Sequence, residues 1–109
     1  MFVYRKVYPF TWTVKVPEGV VPAFEFQAKF VSLPQSELDK LRAEFPQQLD
    51  EKLSAKVFKG WAEGDLLDEE EKPLPVTDEN VAKILDLPFV RAAIVLGWFA
   101  AMSGLNAKN

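Results

Sequence analysis

Phe10-Thr11-Trp12-Thr13-Val14-Lys15-Val16 is followed, after the seven residues 17–23, by Phe24-Glu25-Phe26-Gln27-Ala28-Lys29-Phe30, and these two runs decide the fold. Apolar and polar residues alternate in both, the period of a strand with one face buried and the other in water. Pro17, Gly19 and Pro22 between them are turn punctuation. Two such runs around one turn predict an antiparallel hairpin, and aromatic pairs across it add to its stability. An isolated hairpin is marginal in water, so a covering layer has to come from elsewhere in the chain. Residues 2–8 are a candidate third strand.

Downstream, the period changes to that of helices. In Ser32-Leu33-Pro34-Gln35, Ser32 is placed to cap a helix, Gln35 stands at the capping-box position and Pro34 suits the first turn. Leu38, Leu41 and Phe45 recur at helical spacing until Pro46 interrupts them. A second helix is predicted over residues 47–58, burying Leu49, Leu53 and Val57, with Gly60-Trp61 ending it. Residues 63–71 hold six acids and no base (Glu63, Asp65, Asp68, Glu69, Glu70 and Glu71), which reads as a solvated loop closed by Pro73-Leu74-Pro75. Thr77 then caps a helix whose buried stripe is Val81, Ile84 and Leu85, with Asp78 and Glu79 at its positive end. Pro88 opens a last helix running to about Ser103, with Gly104 as a left-handed terminator and residues 105–109 frayed. The expected architecture is α+β in one domain over residues 1–109, a strand region at 1–32 followed by a helical region at 33–109 with three or four helices.

Composition narrows the function. There is no cysteine, which excludes disulfides, thiolate metal sites and cysteine nucleophiles, and no histidine, which removes the commonest general base and metal ligand. The net charge is −3 and the 13 basic residues are scattered, with Arg5-Lys6 the close pair, so no phosphate-binding face is expected. The acid-rich loop lacks the central Gly and ligand spacing of a helix-loop-helix calcium site. The five glycines match no nucleotide-binding motif and no Ser stands in a nucleophile elbow. Phe24, Phe26 and Phe30 are a conceivable base-stacking platform, but Lys29 is the nearby base, and core packing is the preferred reading. No cofactor or metal is expected. The apolar run at 92–102 is shorter than the roughly 20 residues a bilayer needs, so no membrane partner is expected either. The first 16 residues lack the continuous apolar core of a signal peptide.

The last helix is the functional candidate. Arg91 is its single charge between Pro88 and Ser103. Ala92, Val95, Leu96, Phe99 and Met102 make one apolar face, and Val90, Ile94, Trp98 and Ala101 another. One stripe suffices to seat a helix on a core, so the second face calls for a partner, unless hairpin and helices cover both within the monomer. The expected contact residues are Phe89, Val90, Arg91, Ile94, Val95, Trp98, Phe99 and Met102 on this helix, with Trp12, Phe24 and Phe26 on the hairpin.

Gly60-Trp61, the acidic loop ending in Pro73-Leu74-Pro75, Thr77-x-Glu79-Asn80, Leu87-Pro88-x-Val90-Arg91-Ala92-Ala93 and Gly104 with Lys108-Asn109 together resemble the tail assembly chaperones of long, non-contractile-tailed, lambda-like bacteriophages and prophages. Phe26-x-Ala28-Lys29-Phe30 and the helix bearing Glu37, Leu38 and Leu41 extend the resemblance over about residues 24–109. The resemblance implies a non-enzymatic protein of the bacterial host cytoplasm. Such a protein coats the tape measure protein, recruits major tail tube subunits, self-associates, and is missing from the mature virion. It also implies a short form with a longer frameshifted partner, and Ala107-Lys108-Asn109 is compatible with a slippery A-AAA-AAC messenger. An open, non-closing repeat would suit a long client. The alternatives are a generic protein-interaction adaptor without a phage role, a hydrolase or transferase working through carboxylates, and a nucleic-acid binder.

Overall fold

The structure, a computed structural model, describes residues 1–104. The hairpin forms where the alternation places it. Strands β1 (Pro9–Val16) and β2 (Phe24–Val31) run antiparallel, pairing Phe10 with Phe30, Trp12 with Ala28, Val14 with Phe26 and Val16 with Phe24. Since successive side chains leave a strand on opposite sides, that register gathers the aromatic and aliphatic residues on one face. Thr11, Thr13, Lys15, Glu25, Gln27 and Lys29 fall on the other.

The third strand is β3 (Phe58–Trp61), not residues 2–8. It pairs antiparallel with β2, giving the order β1-β2-β3 with β2 in the centre. Helical spacing in Leu49, Leu53 and Val57 masks it, because the chain passes from α2 (Leu49–Val57) straight into β3 without a turn signal. Phe58 is therefore a strand residue, and Gly60-Trp61 belong to the sheet instead of ending a helix. The register slips between Lys29 and Phe30. Next to this bulge Gly60 takes φ +148°, where a Cβ would lie 2.5 Å from Val76 Cγ1. Only glycine fits both the backbone angle and the close approach.

Residues 2–8 form no strand because Tyr8 closes the ladder. The Tyr8 N–H donates to Ser32 Oγ at 2.8 Å and the Ser32 N–H donates to the Tyr8 carbonyl at 2.9 Å. The chain before it wraps the Tyr8 hydroxyl, which donates to the Val3 carbonyl and accepts from the Arg5 N–H at 2.7 Å. Ser32 is thus spent on Tyr8 and does not cap a helix. The N-cap of α1 (Gln35–Glu44) is Pro34, with no side-chain capping bond, and Gln35 instead donates to Asp39 at 2.9 Å.

The remaining helices follow the pattern closely. Thr77 caps α3 (Asp78–Leu85), its Oγ1 accepting from the Asn80 N–H at 3.1 Å. Pro88 opens α4 (Pro88–Met102), and Gly104 beyond it has φ +71°. The frayed tail expected at 105–109 lies outside the described residues. The two C-terminal helices meet at 99°. This bend lets α3 contact α2 and β3 while α4 lies along β1 and α2. The described residues form a two-layer α+β fold of three strands and four helices. Its core is aromatic: Trp61, Trp98, Phe26, Phe30 and Phe58 are its largest fully buried side chains. Phe58 meets both Phe26 and Phe30 edge-on, an arrangement favoured by the ring quadrupoles.

The acidic loop is tied down more than dense like charge suggests. Its acids face outward, apart from half-buried Asp68, but Leu66 and Leu74 pack on the core. The Leu74 N–H donates to the Leu66 carbonyl at 2.8 Å, and the Trp61 indole N–H donates to the Leu74 carbonyl at 3.1 Å. Asp68 accepts from the Glu70 and Lys72 N–H groups, and Asp65 accepts from the Gln27 N–H at 2.7 Å. Thus the carboxylate of Asp65 occupies the edge of β2 that the short β3 leaves open.

Candidate interaction surface

The second apolar face of α4 is covered within the monomer. Ile94 is 0% exposed and Trp98 1%, and Val90 and Val95 are also buried. The Trp98 indole N–H donates to the Val31 carbonyl at 2.8 Å, across the end of β2. On the sheet side, Gly97 brings the helix so close to β1 that a Cβ there would lie 3.4 Å from Val14 and 3.6 Å from Trp12. On the other side, α2 and the folded-back α3 supply the cover. Val90, Ile94, Val95, Trp98 and, on the sheet, Phe26 are therefore core residues and present no contact surface. Trp12, Phe24, Phe89, Arg91 and Phe99 are half-buried, and Met102 is exposed at the end of the helix. The Arg91 guanidinium is turned back on its own chain, donating to the Leu85 carbonyl at 3.3 Å.

Other residues carry the apolar surface that remains. Leu96 is 73% exposed, with exposed Ala92 one turn before it and half-buried Phe99 one turn after. Spacings of three and four residues put these on one stripe of α4, away from the buried face. Leu96 also lines a groove of about 540 Å³ with Val16, Pro17 and Phe24, where Lys15 and Glu25 supply the charge. A second apolar element is the N-terminal arm, in which Phe2 is 80% exposed and Tyr4 79%, with Met1 and Val3 exposed beside them. The arm leaves the sheet at the Pro9 end of β1, whereas the Leu96 groove lies at the Val16 end. Sequence reading placed Leu96 on the helix face that stays partly open, but did not single it out among the contact residues. The arm had a signal in Phe2-Val3-Tyr4, which was absorbed into the expected third strand.

The free edge of β1 is the third feature. Ser32 donates to Tyr8, so even-numbered residues of β1 face β2 with their N–H and C=O groups. Those of Thr11, Thr13 and Lys15 point the other way, and among the described residues β1 has no strand beyond it. Among the described residues no group of His, Cys, Asp and Glu side chains is arranged to hold a metal ion, and no single helix is long and apolar enough to cross a membrane. Every buried side-chain nitrogen and oxygen among them has a hydrogen-bond partner, including the one buried polar residue, Ser54, whose hydroxyl donates to the Glu51 carbonyl.

Comparison with protein-family models, with curated protein sequences and with solved structures finds no match in any of the three.

Proposed function

We propose that this chain is a non-enzymatic assembly chaperone of the phage-tail kind. It binds an apolar, helical tape measure protein in the bacterial host cytoplasm, keeps it from aggregating, and brings tail tube subunits to it before leaving the finished particle. The observation that supports this reading is the exposed apolar set formed by the arm (Phe2, Val3, Tyr4) and the Leu96 stripe, on a domain whose core is otherwise closed. Side chains of this size are costly to leave in water, and clustered exposure is characteristic of contact surfaces. The resemblance over about residues 24–109 to the chaperone pattern supplies the identity of the client.

The groove beside Leu96 suits a client helix, whose side chains at spacings of three and four would seat on Leu96, Phe24 and Pro17. The test is co-expression with the tape measure protein encoded beside this chain. The soluble fraction of the tape measure is expected to rise severalfold when the chain is present. A tape measure equally soluble or equally aggregated with and without the chain overturns the reading. Rescue of some other neighbouring protein in its place would favour a general adaptor.

A further inference from the structure

The N-terminal arm combines exposed apolar side chains with a fixed shape. Phe2, Val3 and Tyr4 lie in solvent, yet the chain around them is tied at four places. The Tyr8 hydroxyl donates to the Val3 carbonyl and accepts from the Arg5 N–H at 2.7 Å, closing residues 3–8 into a loop. The Phe2 ring lies beside that of Tyr8, with centroids 6.0 Å apart. Lys6 Nζ stands 3.5 Å from Glu37 Oε1, while Glu37 Oε2 is 3.9 Å from Lys56 Nζ. Finally, the Tyr8 N–H and carbonyl are both bonded to Ser32, which fixes the loop to the end of the sheet.

We infer that this loop is a preformed contact element, that Tyr8 is the residue that positions it, and that the stretch of client it fits is apolar and flanked by carboxylates. The inference names the chemistry of one contact in the proposed function and rests on that reading. Ordering a chain segment costs conformational entropy, and Phe2 and Tyr4 bury little in return within their own chain. Order of this kind strengthens binding to a partner, because the segment has less freedom left to lose on contact. Charge gives the sign of that partner. On the loop and its anchor, Arg5, Lys6 and Lys56 stand against the single carboxylate of Glu37, a positive patch on a chain whose net charge is −3. Among the described residues Arg5 forms no ion pair. Its guanidinium, beside two exposed aromatic rings, offers a forked donor for a carboxylate at the border of an apolar contact. The loop stands at the Pro9 end of β1 and the Leu96 groove at the Val16 end, so the two take different stretches of the client.

The test uses the full chain, two variants and two readouts. Tyr8→Phe keeps the ring and the backbone bonds to Ser32 and removes only the hydroxyl. Without client, its Arg5 amide should exchange at least about tenfold faster than in the wild type, with the circular dichroism unchanged. Co-expressed with a phage tape measure protein, it should leave severalfold less of that protein soluble than the wild type does. Arg5→Glu keeps the backbone N–H that Tyr8 accepts from, so exchange at position 5 should stay slow while the soluble tape measure again falls severalfold. A wild-type Arg5 amide that exchanges as fast as in an unfolded chain overturns the inference, and so does a Tyr8→Phe chain with unchanged exchange. Full rescue by a loosened Tyr8→Phe arm overturns the positioning role, and full rescue by Arg5→Glu overturns the acidic character of the partner. In each of these cases wild-type rescue leaves the proposed function standing. A wild-type chain that leaves the tape measure insoluble overturns that function and this contact together.

Discussion

At the residue scale, Trp98 and Leu96 stand two positions apart on α4 and do opposite work. Trp98 fills the core and donates to Val31, so Trp98→Ala should cost about 3–5 kcal/mol in urea unfolding, the usual range for emptying a large aromatic site. A loss near zero would show that the helix does not seal against the sheet. Trp98→Glu would bury an unpaired charge and should give no folded protein, so it cannot report on client binding. Leu96 touches solvent, and Leu96→Glu should change stability by no more than about 0.5 kcal/mol. Gly60 is the other position where one atom decides the outcome. Gly60→Ala forces a Cβ against Val76 at a backbone angle that L residues avoid, and should destabilise by about 2 kcal/mol, read as a lowered Tm. An unchanged Tm would mean that the bulge can relax.

At the element scale, sequence pattern succeeds where an element announces itself over several residues and fails where it does not. The hairpin, the Thr77 cap and the Pro88 start are each written in local chemistry. Thr77→Ala should accordingly cost about 1 kcal/mol by removing the acceptor for the Asn80 N–H, and an unaltered urea midpoint would show that α3 is held by packing alone. By contrast, β3 spans four residues, too few for an alternation to show, and Val57-Phe58 continues the apolar spacing of α2 without a break. The Ser32-x-x-Gln35 signature was misleading for another reason. The hydroxyl that could have capped α1 has a more distant partner in Tyr8, 24 positions away in the chain, which no local pattern encodes.

At the scale of the whole molecule, the count of available cover was the point at issue. An all-round apolar helix in a small domain argues for a partner only if the domain cannot bury it. Here the third strand lies at residues 58–61 instead of 2–8, α4 lies along β1 and α2, and the 99° bend brings α3 to it as well, so both wide faces of α4 close. What remains open is narrower: one stripe through Leu96, the groove beside it, and an arm outside the core. The class of fold was therefore legible in the sequence, whereas the contact surface was only partly so. Burial depends on which elements fold over a helix, and residue spacing within the helix does not report that. The proposed role therefore rests on Leu96, its neighbours Phe24 and Phe99, and the arm, and not on the buried face of α4.

The most direct measurement of that role is the soluble fraction of a phage tape measure protein co-expressed with a Leu96→Glu/Tyr4→Glu chain. Circular dichroism and Tm of the variant should match the wild type, while the soluble tape measure should fall to the level seen without any chaperone. A folded variant that keeps the tape measure as soluble as the wild type does would contradict the account.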